Sequence, residues 1–392
     1  MSVIRSFSFR ADLPVKPILD EKDVLDLTTH TARATGAVSP DAQHIVAAQD
    51  TWTPLAAPVP GRLISGTLPG DHHARFLLRL PEKWNGKLIV AAASGITDET
   101  TYDLYFSDYA LSRGYAFAAT DKGVRRSLLD GTTVFMPMIP EASLTRWASR
   151  LEALAALSKE LAAKRRGRAP EKTYAVGLSN GGYIARKAAE SFSGLFDGAL
   201  EISGVLWRAD RGNLLRELPA ALRATKKQPW DRAALAALGF AADAIWDPLL
   251  AFYRAAYWEA SLGIFVADLD PEYSGALEDY DFDARPASVR ARVEELSNTG
   301  DLKVPLISLA GEHDYLISCP GHARAYETLV KARGKAALHR MTVHANSSHI
   351  DTNREMFSFV EPLMPRAHAA FDELVAWVER TPAGQRARVS TV

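Results

Sequence analysis

Apolar and polar positions change rhythm twice along the chain. Residues 62–68 (RLISGTL) and 74–80 (ARFLLRL) alternate, and the turn formers of 69–73 (PGDHH) lie between them. That pattern predicts a β-hairpin with one wet face. From residue 86 the alternation gives way to short continuous apolar runs. These lie at 87–93 (KLIVAAA), 115–120, 173–177, 199–203 and 304–310, and 338–343 (LHRMTV) reads as a sixth strand. Runs of this kind predict strands buried on both faces. Between them the spacing predicts helices over 99–113, 142–166, 180–192 and about 366–380. The helix over 142–166 carries Leu151, Leu154, Leu157 and Leu161 at helical spacing. Strands alternating with helices predict an α/β fold with a doubly wound, mostly parallel sheet.

Two intervals break the pattern. Residues 1–57 have weak periodicity and read as an N-terminal arm. Residues 205–299 have no convincing buried strand, are rich in helix formers, and hold Trp207, Trp230, Trp246 and Trp258. They read as an inserted helical cap, with 58–204 and 300–392 forming the core. The tryptophans are expected mainly in the core of that cap. The acidic run from Asp268 through Asp283 resembles calcium ligands, but Tyr273 stands where such a loop requires glycine, so a solvated face is expected.

Composition narrows the function. The chain has 392 residues and a formal net charge of −1, with Lys+Arg 46 against Asp+Glu 47. That balance argues against a nucleic-acid partner, because neutralising phosphates needs a basic excess. No apolar run is long enough to cross a bilayer, so no membrane partner is expected. The opening MSVIRSFSFR lacks an apolar stretch of about 7–15 residues, which leads to the expectation of a cytoplasmic location. The single cysteine, Cys319, excludes an intrachain disulfide and reads as a small buried residue. His72 and His73 look like a metal pair but fall in the hairpin turn, and no H-E-x-x-H or C-x-x-C occurs, so no metal is expected.

The chemistry concentrates in three short stretches. Gly177-Leu178-Ser179-Asn180-Gly181 joins a predicted strand to a predicted helix. In that context a G-x-S-x-G string is a nucleophile elbow. The turn is so tight that Gly177 and Gly181 have no room for side chains. It lifts the Ser179 hydroxyl to a helix N-terminus, where the Asn180 N–H faces a developing oxyanion. A serine needs a base, and the base needs a carboxylate. Asp314 follows the strand at 304–310, and His349 follows the strand at 338–343, 35 residues later. Glu312 and His344 are rivals for these roles, and Asp314 and His349 fit their loops better.

With these residues the chain resembles the α/β-hydrolase superfamily of serine esterases, on GLSNGG at 177–182, GEHD at 311–314 and SSH at 347–349. The resemblance covers about 60–200 and 300–380. PEKWNG at 81–86, SRGY at 112–115, and Thr120 with Asp121 look like the tannase and feruloyl esterase type and like hydroxybutyrate-oligomer hydrolases. The resemblance implies an α/β-hydrolase fold and a triad of Ser179, Asp314 and His349. Where many relatives have His-Gly before the second oxyanion donor, this chain has Ser94-Gly95-Ile96, leaving Ile96 or Gly95 as that donor. The expected activity is hydrolysis of a small or oligomeric ester, such as a hydroxyacid or aromatic ester, through an acyl-enzyme and without a cofactor. An acyltransferase or small-peptide peptidase on the same triad is the alternative, and a non-catalytic binding module is a third.

Overall fold

The computed structural model describes residues 19–35 and 55–380, apart from 93, 96, 98, 100–103, 125, 130–131, 136–139, 211, 242 and 352–355. The described strands, in chain order, begin with β1 (Asp20–Val24), β2 (Gly61–Leu68), β3 (Asp71–Pro81), β4 (Lys87–Ala92) and β5 (Ala116–Thr120). A separate hairpin, β6 (Arg126–Leu129) and β7 (Thr132–Phe135), follows. Then come β8 (Lys172–Leu178), β9 (Gly198–Ile202), β10 (Leu306–Gly311) and β11 (His339–His344). Nine of these form one sheet in the order β1-β2-β3-β5-β4-β8-β9-β10-β11. The first three run antiparallel to their neighbours, and β5, β4, β8, β9, β10 and β11 run parallel to one another.

β4, β5, β8, β9 and β10 are buried on both faces, whereas β11 lies half-exposed at the sheet edge, and successive residues of the buried strands feed two separate cores. Leu88, Val90 and Ala92 pack with one cluster, while Ile89 and Ala91 pack with the other. The first cluster is closed by the helices Trp147–Arg166 and Asn180–Ser191, and the second by Leu104–Ser112 and Met364–Arg380. This explains why these strands read as unbroken apolar runs. The expected helix over 99–113 is described only from Leu104, and the one over 142–166 starts at Trp147 after two short turns.

Two expectations need correction. The hairpin turn is only Pro69-Gly70, because Gly70 at φ 72° reverses the chain in two residues and pairing resumes at Leu68–Asp71. His72 and His73 therefore belong to strand β3, not to a turn. Their rings pack on each other at 4.1 Å. Within the N-terminal arm, residues 20–24 form an edge strand of the main sheet. The acidic run is only partly solvated. Asp270 is buried against Arg285 and Tyr280, and Asp268 accepts the Leu144 N–H at 2.8 Å. Between Val205 and Thr299 the described residues form helices and turns, with no strand. Trp207, Trp246 and Trp258 are buried there, and Trp230 is half-buried. Among the described residues no helix is long and apolar enough to cross a membrane, and no group of three metal-ligating side chains converges.

Candidate active site

Register places the chemistry on one edge of the sheet. Gly177 of β8 lies beside Glu201 of β9, Ile202 lies beside Leu309 of β10, and Gly311 lies beside His344 of β11. The residues that follow these strands therefore share the carboxyl edge, where open α/β sheets bind ligands.

Ser179 leaves β8 with φ 61° and ψ −121° and caps the helix Asn180–Ser191. A non-glycine residue in that region costs about 1–3 kcal/mol and persists only where its surroundings enforce it. The enforcement is visible. Ser179 N–H donates to Ile202 O (2.9 Å), and Ser179 O accepts from Tyr183 N and Val205 N (both 3.1 Å). A Cβ at Gly177 would sit 2.0 Å from Gly181 O. A Cβ at Gly182 would sit 2.6 Å from the Cα of Gly204. The elbow thus closes on glycine backbone, which no larger residue permits. The Asn180 side chain accepts from Trp207 Nε1 at 3.3 Å.

The structure brings His349 and Asp314 together. His349 Nδ1 lies 2.6 Å from Asp314 Oδ2, and both side chains are buried. The other oxygen, Asp314 Oδ1, accepts from Leu316 N (2.9 Å) and Ile317 N (2.8 Å). A carboxylate with both oxygens engaged is fixed in direction. Its bond to Nδ1 places the imidazole proton there and leaves Nε2 as a base. The rivals are elsewhere. Glu312 is exposed. His344 ends β11, near Glu361 and Arg366, and burial lowers its pKa. His313, next to Asp314, stacks on Trp246 at 3.7 Å, and burial lowers its pKa too.

Opposite the elbow, Ser94 is buried and its carbonyl accepts from Thr97 N (3.2 Å) and Oγ1 (2.6 Å). Gly95 has φ 44°, and a Cβ there would meet nothing within 4 Å. Ile96 lies outside the described residues. Cys319 is buried, which pushes its thiol pKa up to about 11 and away from thiolate chemistry.

Three contacts tie residues 246–258 to the loops bearing Asp314 and His349. They are the Trp246–His313 stack, Trp258 Nε1 donating to Tyr315 O (2.5 Å), and Ser348 Oγ donating to the Tyr253 hydroxyl (3.3 Å).

With this geometry in place, the comparisons with known proteins become specific. Residues 63–206, which carry the elbow, match the family of tannase and feruloyl esterase. Among solved structures, an esterase from Aspergillus oryzae aligns with a TM-score of 0.59 at 14% identity, covering 94% of this chain and 88% of that one. Tannin acyl hydrolase from Aspergillus niger aligns at 0.58 with 12% identity, covering 92% and 82%. The chain has the α/β-hydrolase fold. In sequence it is 29% identical over 136 residues to the mono(2-hydroxyethyl) terephthalate hydrolase of Piscinibacter sakaiensis. That match takes in 32% of this chain and spans 23% of the relative's length.

Sequence reasoning missed two buried polar pairs behind the elbow. Arg186 donates to Glu201 at 2.7 Å with both side chains fully buried. His322 bonds Glu217 at 2.7 Å and accepts the Leu206 N–H at 2.9 Å. The available signal was Glu201 itself, a charge inside the apolar run 199–203, which demands a partner.

Proposed function

We propose that this chain is a serine hydrolase of carboxylic esters. The observation that carries the reading is the buried His349–Asp314 hydrogen bond of 2.6 Å, on the sheet edge where Ser179 stands with φ 61°. The reaction follows the established logic of such sites. His349 Nε2 removes the Ser179 proton as Oγ attacks the ester carbonyl. The Asn180 N–H and a backbone N–H of the Gly95–Ile96 stretch stabilise the oxyanion. His349 then protonates the leaving alcohol, and the acyl group rests on Ser179. Water deprotonated by His349 attacks the acyl-enzyme, and the acid departs. Asp314 holds the imidazole and stabilises its cationic form. No cofactor takes part.

We read residues 205–299 as a lid, because its side chains meet the Asp314 and His349 loops at three places. A lid of this size favours a small or oligomeric ester over an extended lipid surface. The relatives' names, a mono(2-hydroxyethyl) terephthalate hydrolase and a tannin acyl hydrolase, support aromatic esters within that class. A p-nitrophenyl ester series from acetate to palmitate tests the reading. Short esters are expected to turn over, and Ser179→Ala is expected to lower kcat by about six orders of magnitude with the fold intact. Wild-type rates in Ser179→Ala would overturn it. Added alcohols separate transfer from hydrolysis by the products formed.

A further inference from the structure

The peptide between Ser179 and Asn180 is one rigid unit. Its C=O belongs to Ser179 and its N–H to Asn180, and the two point in opposite directions across a trans bond. Whatever holds the Ser179 carbonyl therefore aims the Asn180 N–H. Two donors hold it. One is Tyr183 N, within the helix, and the other is Val205 N, at 3.1 Å, from the segment after β9.

That segment is itself under constraint. Ser203 leaves β9 with φ 46°, and its buried hydroxyl has no hydrogen-bond partner among the described residues. Its own side chain therefore does nothing to fix the turn. The turn is fixed by the buried pair Arg186–Glu201. Glu201 Oε2 accepts the Gly204 N–H at 2.9 Å. Arg186, bound to Glu201 through one nitrogen, donates through the other to Val205 O at 3.3 Å. Arg186 lies on the helix that starts at Asn180, so the pair ties that helix to the strand beside the elbow. The guanidinium lies over the Tyr326 ring at 4.3 Å, which leaves it little freedom.

We propose that Arg186 and Glu201 are positioning residues for the oxyanion site. Through Gly204 and Val205 they fix the Ser179 carbonyl, and through that carbonyl they aim the Asn180 N–H. The inference rests on the serine-hydrolase reading, with Asn180 as oxyanion donor. A donor that serves the oxyanion acts in the transition state, so its misalignment lowers kcat rather than raising KM.

The test is the double variant Arg186→Met/Glu201→Leu, which removes both charges together. Replacing a whole buried pair by apolar residues avoids the isolated charge left by a single deletion. Active sites are titrated with a fluorophosphonate, and the inhibition constant of a trifluoromethyl ketone is measured beside the ester kinetics. The expected result is a loss of about tenfold or more in kcat per titrated site, a parallel loss of ketone affinity, and KM within about twofold. Unchanged kcat and ketone affinity, whatever happens to the melting temperature, would overturn the inference. If the double variant does not fold, Arg186→Lys replaces the two separate nitrogens by one, and the same pair of readouts is expected to fall to a smaller degree. An Arg186→Lys enzyme with wild-type values overturns the inference equally. A wild-type chain that neither labels nor turns over esters removes the reading beneath it, an outcome distinct from an active wild type beside an unaffected variant.

Discussion

At the scale of single residues, the site depends on backbone that ordinary side chains do not permit. Among the described residues three non-glycine residues have positive φ, and each follows a strand of the main sheet: Lys122 after β5, Ser179 after β8 and Ser203 after β9. Such outliers cluster where function requires a set geometry. Gly177 is the least replaceable neighbour. A Cβ there would lie 2.0 Å from Gly181 O and 2.3 Å from its carbonyl carbon, and both are backbone atoms. Gly177→Ala is therefore expected to cost more than about 2 kcal/mol in urea unfolding and to lower esterase activity in the folded fraction. Stability and rates near wild type would contradict the elbow geometry. The elbow was legible in sequence because its constraint is local, with small residues two positions before and after the serine. The constraint on Ser203 was not legible, because it comes from Arg186, 15 residues before the strand partner Glu201.

At the scale of elements, strands were easier to place than the segments joining them. Continuous apolar runs mark parallel strands wherever both faces are covered, which holds for β4, β5, β8, β9 and β10. β1 escaped notice because its residues are mainly exposed and it is held by pairing with β2 rather than by burial. The turn at Pro69-Gly70 was drawn too long, since polar residues His72 and His73 continue an edge-side strand as readily as a loop. The segment after β9 shows how an element is fixed without regular structure. His322 accepts the Leu206 N–H and bonds Glu217 of the helix Leu214–Ala224. His322→Ala would leave a buried N–H and a largely buried carboxylate without that partner. A loss of about 2–4 kcal/mol is expected in urea unfolding, from the desolvation penalty of both groups. A loss below about 0.5 kcal/mol, as for a surface change, would show that the pair does not hold the segment.

At the scale of the whole molecule, half-buried histidines shape the response to acid. Burial holds His313, His339 and His344 below the ordinary histidine value, His339 down to about 4. A depressed folded value means that the unfolded chain binds protons the folded chain refuses. Stability is then full above the ordinary histidine range and is lost as pH falls through it toward the folded values. From His339 alone the loss is about 2 kcal/mol between about pH 7 and pH 5. Asp121 and Asp268, which burial holds above the usual carboxylate range, oppose this as pH falls through their raised folded values. Urea midpoints at the two pH values measure the effect, and His339→Phe is expected to flatten the slope. An unchanged slope in that variant would contradict the assignment.

The whole-molecule arrangement is also what the sequence conveyed least. Order along the chain suggested that Ser179, Asp314 and His349 meet, because each follows a strand of one sheet. The contact of His349 with Asp314 depends on a strand order and on long insertions whose packing no local pattern encodes. The central claim is that Ser179 is a nucleophile activated at this edge. The most direct measurement is intact-mass and peptide-map analysis after fluorophosphonate treatment of the wild-type chain and of His349→Ala. A nucleophilic Ser179 gives one adduct per chain, on Ser179, and labelling slowed by at least about two orders of magnitude without His349. An unlabelled Ser179 in the folded wild-type chain, or equal labelling rates in the two proteins, would contradict it.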